Sequence, residues 1–207
     1  MKNYNILKIT KTILNVFWFI QIAILAGILL FALFLIFNVD FIDLNQLNGF
    51  NIHFSKIIFD EPLIYNGEMY DFSLTNGEGR LHIDNLEQKF IYLRIFAALV
   101  DSFIYLMIIY FLRKIFNNLT HNNYFVAANG NYIKNISLSI ILLAIIPETI
   151  HYFTDKLILK SIKVDSVILK NEFNFEYQTL LLGLLVFVIS IVFLRGIELK
   201  EDQYLTI

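Results

Sequence analysis

Apolar residues in this chain are bunched, neither alternating nor recurring every third or fourth position. Four runs carry most of them: Ile13–Phe37 ("ILNVFWFIQIAILAGILLFALFLIF"), Phe90–Phe111, Ile136–Leu159 and Thr179–Leu194. A helix rises about 1.5 Å per residue, so the first run reaches roughly 37 Å, enough to cross about 30 Å of hydrocarbon with some tilt. The pattern predicts an all-α transmembrane protein, a four-helix membrane bundle. The third run is interrupted by "PETIHYFTD", and the fourth is the shortest. The first run has the basic start of a signal peptide (Lys2, Lys8, Lys11). Its apolar core is too long for one, and no small-residue cleavage site follows, so it reads as a retained anchor.

The runs divide the chain into a cytoplasmic start and first helix (1–37), an outer loop (38–89), a second helix (90–116) and a cytoplasmic loop (117–135). A third helix (136–159), a second outer loop (160–178) and a fourth helix with a cytoplasmic tail (179–207) complete it. The first outer loop is too long for a bare connection. Its stretch "MYDFSLTNGEGRLHID" predicts strands at Met69–Leu74 and Arg80–Asp84 around a turn at Asn76-Gly77, a pair suited to positive φ angles. "NIHFSKIIF" (51–59) predicts another strand, ended by Pro62, and the β-branched "LILKSIKVDSVIL" lies in the second outer loop. An isolated hairpin is marginal in water, so strands from the two outer loops are expected to pair into a small extracytoplasmic β element. Asp84 and Glu87 have the spacing of a capping box ahead of the second helix.

Charge sets the orientation. Residues 1–12 hold three lysines and no acid, and 113–135 hold Arg113, Lys114 and Lys134 and no acid. The 39–89 loop holds nine acids against Lys56, Arg80 and Lys89. Cytoplasmic loops concentrate Lys and Arg, which puts both termini and the middle loop inside the cell. The lysines of the second outer loop dissent: Lys156, Lys160, Lys163 and Lys170 would lie outside.

Composition then narrows the chemistry. Of 207 residues, 57% are hydrophobic and 16% charged, with a mean hydropathy of +0.64. The absence of cysteine excludes disulfides, thiolate metal sites and cysteine nucleophiles. A net charge of −2 offers no basic field for direct nucleic-acid binding. No P-loop, G-x-S-x-G or H-E-x-x-H is present, so neither an enzyme nor a cofactor or metal site is expected. The four helices show no inverted repeat of the kind secondary transporters use.

Polar groups at membrane depth are the candidate site. The second run contains Arg94 and Asp101, and the third contains Pro147, Glu148, His151 and Asp155. A central Asp or Arg costs roughly 2.5–3.5 kcal/mol to insert. Counting from the outer ends, Arg94 and Asp155 both lie about one turn in and Asp101 and Glu148 about three, so antiparallel helices would pair Arg94 with Asp155. His151 lies between Glu148 and Asp155 on one helix face. Three readings are open: a structural polar network, a proton- or ion-linked layer of Asp101 and Glu148, and a metal site using Glu148, His151 and Asp155, with or without Asp101. Pro147 removes a backbone donor and predicts a kink.

At the inner side, "LRKIFNNLTHNNYFVAANGNYIKNISLSIILL" (112–143) places Phe125 and Asn129 ahead of aliphatics entering a span. "LRGIELKEDQYLTI" (194–207) ends a span on Arg195-Gly196 and closes on Leu205, Thr206 and Ile207. Apolar residues on a free tail predict either an extended strand folded against the 117–135 loop or a docking peptide. Together these segments resemble the YoaS-like bacterial four-helix membrane proteins, a family defined by a domain of unknown function. The resemblance covers the last three spans well and the first more loosely; the 39–89 loop is longer than the family usually has. It implies cytoplasmic contacts through Phe125, Asn129, Arg195, Leu205, Thr206 and Ile207. It also implies a helix-turn-helix regulator as partner, because members are often encoded beside one. The expected function is a non-enzymatic membrane regulator or sensor; the alternative is an ion- or substrate-permeating protein using the Asp101/Glu148 layer.

Overall fold

The computed structural model describes residues 2–37, 49–59, 63–65, 68–82, 88–161, 167–170, 173 and 175–205. Its elements, in chain order, are α1 (Lys2–Ile36), β1 (Gly49–Ile58), β2 (Leu63–Tyr65), β3 (Glu68–Tyr70) and β4 (Ser73–His82). They continue with α2 (Gln88–Thr120), α3 (Ala127–Ser161), β5 (Val167–Lys170) and α4 (Tyr177–Leu205). All four helices are long and apolar enough to cross a membrane. Each runs past its apolar stretch. α1 begins at Lys2, well before the apolar run, and α3 begins at Ala127, so the predicted 117–135 loop shrinks to the turn 121–126. α3 also continues to Ser161, inside the predicted second outer loop, and Pro147 lies within it. Hydropathy marks where hydrocarbon is, whereas backbone hydrogen bonding carries a helix on into the headgroups and water.

The chain forms two compact units. The first contains residues 1–33, 97–147 and 175–207. Small and polar side chains take part in its helix contacts beside the buried Ile104, Ile136 and Ile197, as expected where lipid removes the hydrophobic drive between helices. A Cβ built on Gly183 of α4 would lie 3.1 Å from the backbone nitrogen of Ile141 in α3, so these two helices touch nearly backbone to backbone. Ser137, Ser139 and Ser190 are buried and satisfied within their own helices, donating to the carbonyls of Lys134, Asn135 and Phe187. Large apolar side chains stay exposed on every helix, including Phe19 and Leu30 of α1, Phe103 of α2, Leu142 of α3 and Val192 of α4. Such all-round apolar exposure belongs in lipid.

The second unit contains residues 34–96 and 148–174. Here a three-stranded sheet has the order β4-β1-β5, with β1 antiparallel to both neighbours. A separate hairpin pairs β2 with β3, Leu63 opposite Tyr70 and Tyr65 opposite Glu68. This overturns the predicted turn at Asn76-Gly77: β4 runs straight through it, with Asn76 at a φ of 52°. The physical reason is packing. Gly77 sits opposite Phe54, whose ring occupies the space a Cβ would fill. Glycine there makes room for an aromatic ring and is not a turn former. The predicted strands Met69–Leu74 and Arg80–Asp84 are therefore not partners: Met69 pairs with Ile64, while Leu74 and Arg80 lie in one strand against β1. Tyr70 donates to Glu68 Oε2 at 2.6 Å, a bond that raises its phenol above the usual pKa. Phe90, Ile91 and Ile158 are the buried side chains at the helix ends of this unit, and Thr154 is closed off by donating to Ile150 O. The Asp84/Glu87 capping pair lies outside the described residues.

Candidate functional site

The polar groups of α2 and α3 are divided between the two units. In the second, Arg94 Nη2 lies 3.9 Å from Asp155 Oδ1, and the side chains are 24% and 28% exposed. That is the outer limit of an ion pair, with a long-range attraction that grows as solvent is withdrawn. Glu148 is half-buried one further pair of turns along α3, while His151 is exposed and so stands outside a packed network. Among the described residues, no group of three or more His, Asp or Glu side chains is arranged to hold a metal ion. Asp101 belongs to the first unit, half-buried, with Oδ1 shut off from solvent.

Beside Asp101 is a link that the sequence reading missed. Gln21 Nε2 donates to both Ser102 O and Ser102 Oγ at 3.0 Å, fastening α1 to α2 at membrane depth. One signal was present: Gln21 and Asn15 are the two amides inside an otherwise apolar run. Asn15 is similar, accepting from Arg113 Nε at 2.8 Å.

The second cluster is the α2–α3 turn with the end of α4, all within the first unit. The chain leaves α2 through 121–126, with Asn122 at a φ of 63°. Asn129, in the first turn of α3, is only 1% exposed. Its Nδ2 donates to Asn123 O at 2.9 Å and Tyr124 O at 3.0 Å, and its Oδ1 accepts from Asn118 Nδ2 at 2.7 Å. One side chain thus ties the end of α2, the turn and the start of α3 together. Gly130 follows it, in close contact with Leu194 and Phe193 of α4.

Phe125 sits on this fixed turn. Its ring stacks on Phe193 with centroids 5.8 Å apart and planes 20° apart, and Lys200 Nζ lies 5.8 Å from its centre. It is nevertheless 65% exposed. Helix α4 continues past Gly196 to Leu205, so the predicted extended strand is replaced by helix up to that residue, and α4 meets the turn through Phe193 and Lys200. Arg195 points elsewhere, pairing with Glu198 at 2.7 Å on an exposed surface. Leu205 closes α4, while its side chain, Thr206 and Ile207 lie outside the described residues. Of the residues expected at a cytoplasmic contact, the structure therefore assembles Phe125 and Asn129, and leaves Arg195 apart.

Comparison with known proteins finds a family. The model of a family described as "Protein of unknown function (DUF2975)" covers residues 83–207, which takes in α2, α3, β5 and α4. No curated protein and no solved structure matches.

Proposed function

The chain belongs to the DUF2975 family, and from that premise we propose that it acts as a non-enzymatic regulator in the cell membrane, binding a cytoplasmic protein through the α2–α3 turn and the end of α4. One observation carries the reading: Phe125 is held rigidly and yet exposed. An apolar ring fixed on a rigid turn costs little further order on binding, which is the character of an interface anchor. Tyr124, next to it in the chain, is exposed as well. The helix-turn-helix regulator implied by the family resemblance is the first partner to test. Cross-linked capture of such a regulator, co-expressed from the same genome, should fall at least tenfold in Phe125→Ser, while Met69→Ser on the β2–β3 hairpin of the other unit keeps it. Equal capture by both variants would remove this surface from the reading.

The proposal needs both termini and the α2–α3 turn inside, with the sheet outside as a small extracytoplasmic element. The support is the Lys/Arg bias of the loops. In this cysteine-free chain, single cysteines report sidedness. Thr75 on β4 is exposed, and so is Asn123 in the turn. Asn123 is a better choice than Asn122, whose positive φ disfavours a cysteine. An impermeant maleimide on intact cells should label Thr75→Cys, and should label Asn123→Cys only after permeabilisation. Labelling of Asn123→Cys from outside would reverse the topology.

A further inference from the structure

Where α1 enters its apolar run and α2 leaves its own, three cations converge. Lys11, Asn15, Tyr110, Arg113, Lys114 and Asn117 line a cavity of about 270 Å³. Lys11 Nζ donates to Asn117 Oδ1 at 2.7 Å, and Arg113 Nε to Asn15 Oδ1 at 2.8 Å. Both acceptors are neutral amides. The Arg113 guanidinium lies 4.8 Å from the centre of the Trp18 ring, and Lys114 Nζ 5.4 Å from that of Tyr110. Amide oxygens and aromatic faces thus orient the cations without neutralising them. Residues 1–39 and 102–147 contain no Asp or Glu at all, and none of the three cations is in an ion pair among the described residues. Lys8 stands one turn from Lys11 and adds to the same positive field.

Like charges gathered at one cavity repel one another, and an anion seated among them relieves that repulsion. The forked guanidinium and two ammonium groups suit phosphate oxygens. The surroundings choose the source of that phosphate. Trp18 and Tyr110 form an aromatic pair, with centroids 5.9 Å apart, of the type found at headgroup level. Phe19 and Ile22 are exposed apolar surface on the same side of α1, one and two turns beyond Asn15. We propose that this cavity binds the phosphate of an anionic phospholipid, with Lys11, Arg113 and Lys114 contacting the headgroup and the acyl chains lying along α1. Free phosphate shares the headgroup chemistry but makes no use of the apolar surface. The site lies apart from Phe125 and does not depend on a protein partner.

Trp18 is the only tryptophan in the chain and stands at the site, which makes it the reporter. The full chain is placed in nanodiscs containing phosphatidylglycerol or phosphatidylcholine with brominated acyl chains, and quenching of Trp18 is followed against mole fraction. Brominated phosphatidylglycerol should quench at the lower mole fraction. Each cation removed should weaken that preference about fivefold, the effect of roughly one cation near an anionic surface. Lys114→Gln is the variant least able to disturb folding, since its side chain is exposed. Lys11→Gln combined with Lys114→Gln should lower the preference about 25-fold. Lys156→Gln, in the other unit, should leave it unchanged. Equal quenching by the two lipids, or a preference that survives the double variant, overturns the site. Loss of the preference on adding millimolar glycerol phosphate overturns the lipid assignment in favour of a soluble phosphate.

Discussion

Gly183→Leu should lower the thermal midpoint of the purified protein by about 10 °C, whereas Gly27→Leu should leave it within a degree or two. Both glycines are inside helices long and apolar enough to cross a membrane. They differ in what a side chain would meet. At Gly27 nothing lies within 4 Å of the Cβ position. At Gly183 the Cβ position is 2.7 Å from Ile141 Cγ1, 3.3 Å from Ile140 Cγ2 and 3.1 Å from the Ile141 backbone nitrogen. A side-chain carbon can rotate away, but a helix backbone cannot, so a leucine there forces α3 and α4 apart. Overpacking of this kind costs about 1–3 kcal/mol and sometimes more, and for a chain of this size each kcal/mol is roughly 2–4 °C. The opposing effect is helix propensity, about 1 kcal/mol in favour of the non-glycine residue. In a bilayer the helix persists when helices separate, so most of that gain cancels and the steric cost decides. Gly183→Ala should fall between the two. A Gly183→Leu protein that melts with the parent would show that α3 and α4 do not depend on this approach.

The four spans were readable because burial in lipid demands long apolar runs, and nothing else in a sequence looks like Ile13–Phe37. Helix ends were not readable from the same signal. Residues 127–135 are polar enough to pass for a loop, yet Asn129 satisfies the turn ahead of them, and so α3 starts nine residues early. The hairpin was misplaced for a related reason. Three Asn-Gly pairs occur in the first outer segment, at 48–49, 66–67 and 76–77. The pairing of Tyr65 with Glu68 brackets the middle one. The last lies inside β4, and its glycine is there for Phe54, a long-range contact invisible in local pattern. For the site, depth could be counted along a helix, which set Arg94 level with Asp155. Azimuth could not. Helices apolar on every face give no periodic signal for which side meets which neighbour. The Gln21–Ser102 and Asn15–Arg113 links therefore became visible only in three dimensions.

Replacing Asn129 should loosen the α2–α3 turn more than any exposed change nearby, and Asn129→Asp should be no milder than Asn129→Ala. The assignment of the amide follows from its surroundings: two carbonyl oxygens, of Asn123 and Tyr124, face one end and require the NH₂ group there. Alanine removes all three side-chain bonds and leaves these two carbonyls and Asn118 Nδ2 without their partner in a buried place. Each orphaned buried group costs about 1–3 kcal/mol; because water can enter the resulting gap, a total on the order of 3 kcal/mol is expected. Aspartate keeps the acceptor for Asn118 but turns a second, charged oxygen toward two carbonyls, exchanging two attractions for two repulsions. Hydrogen exchange followed by mass spectrometry should therefore show faster exchange across 118–131 in both variants, with the core of α4 around Ser190 unchanged. The amide of Asn123, which donates to Asn118 O at 3.0 Å, should be among those released. Phe125 itself remains present in both proteins. If the turn matters because it fixes that ring, partner capture should fall in Asn129→Ala and Asn129→Asp as it does in Phe125→Ser. Exchange at the wild-type rate across 118–131 would show that Asn129 does not hold the turn. Faster exchange with undiminished capture would show that the turn is held for stability and that the ring needs no fixing.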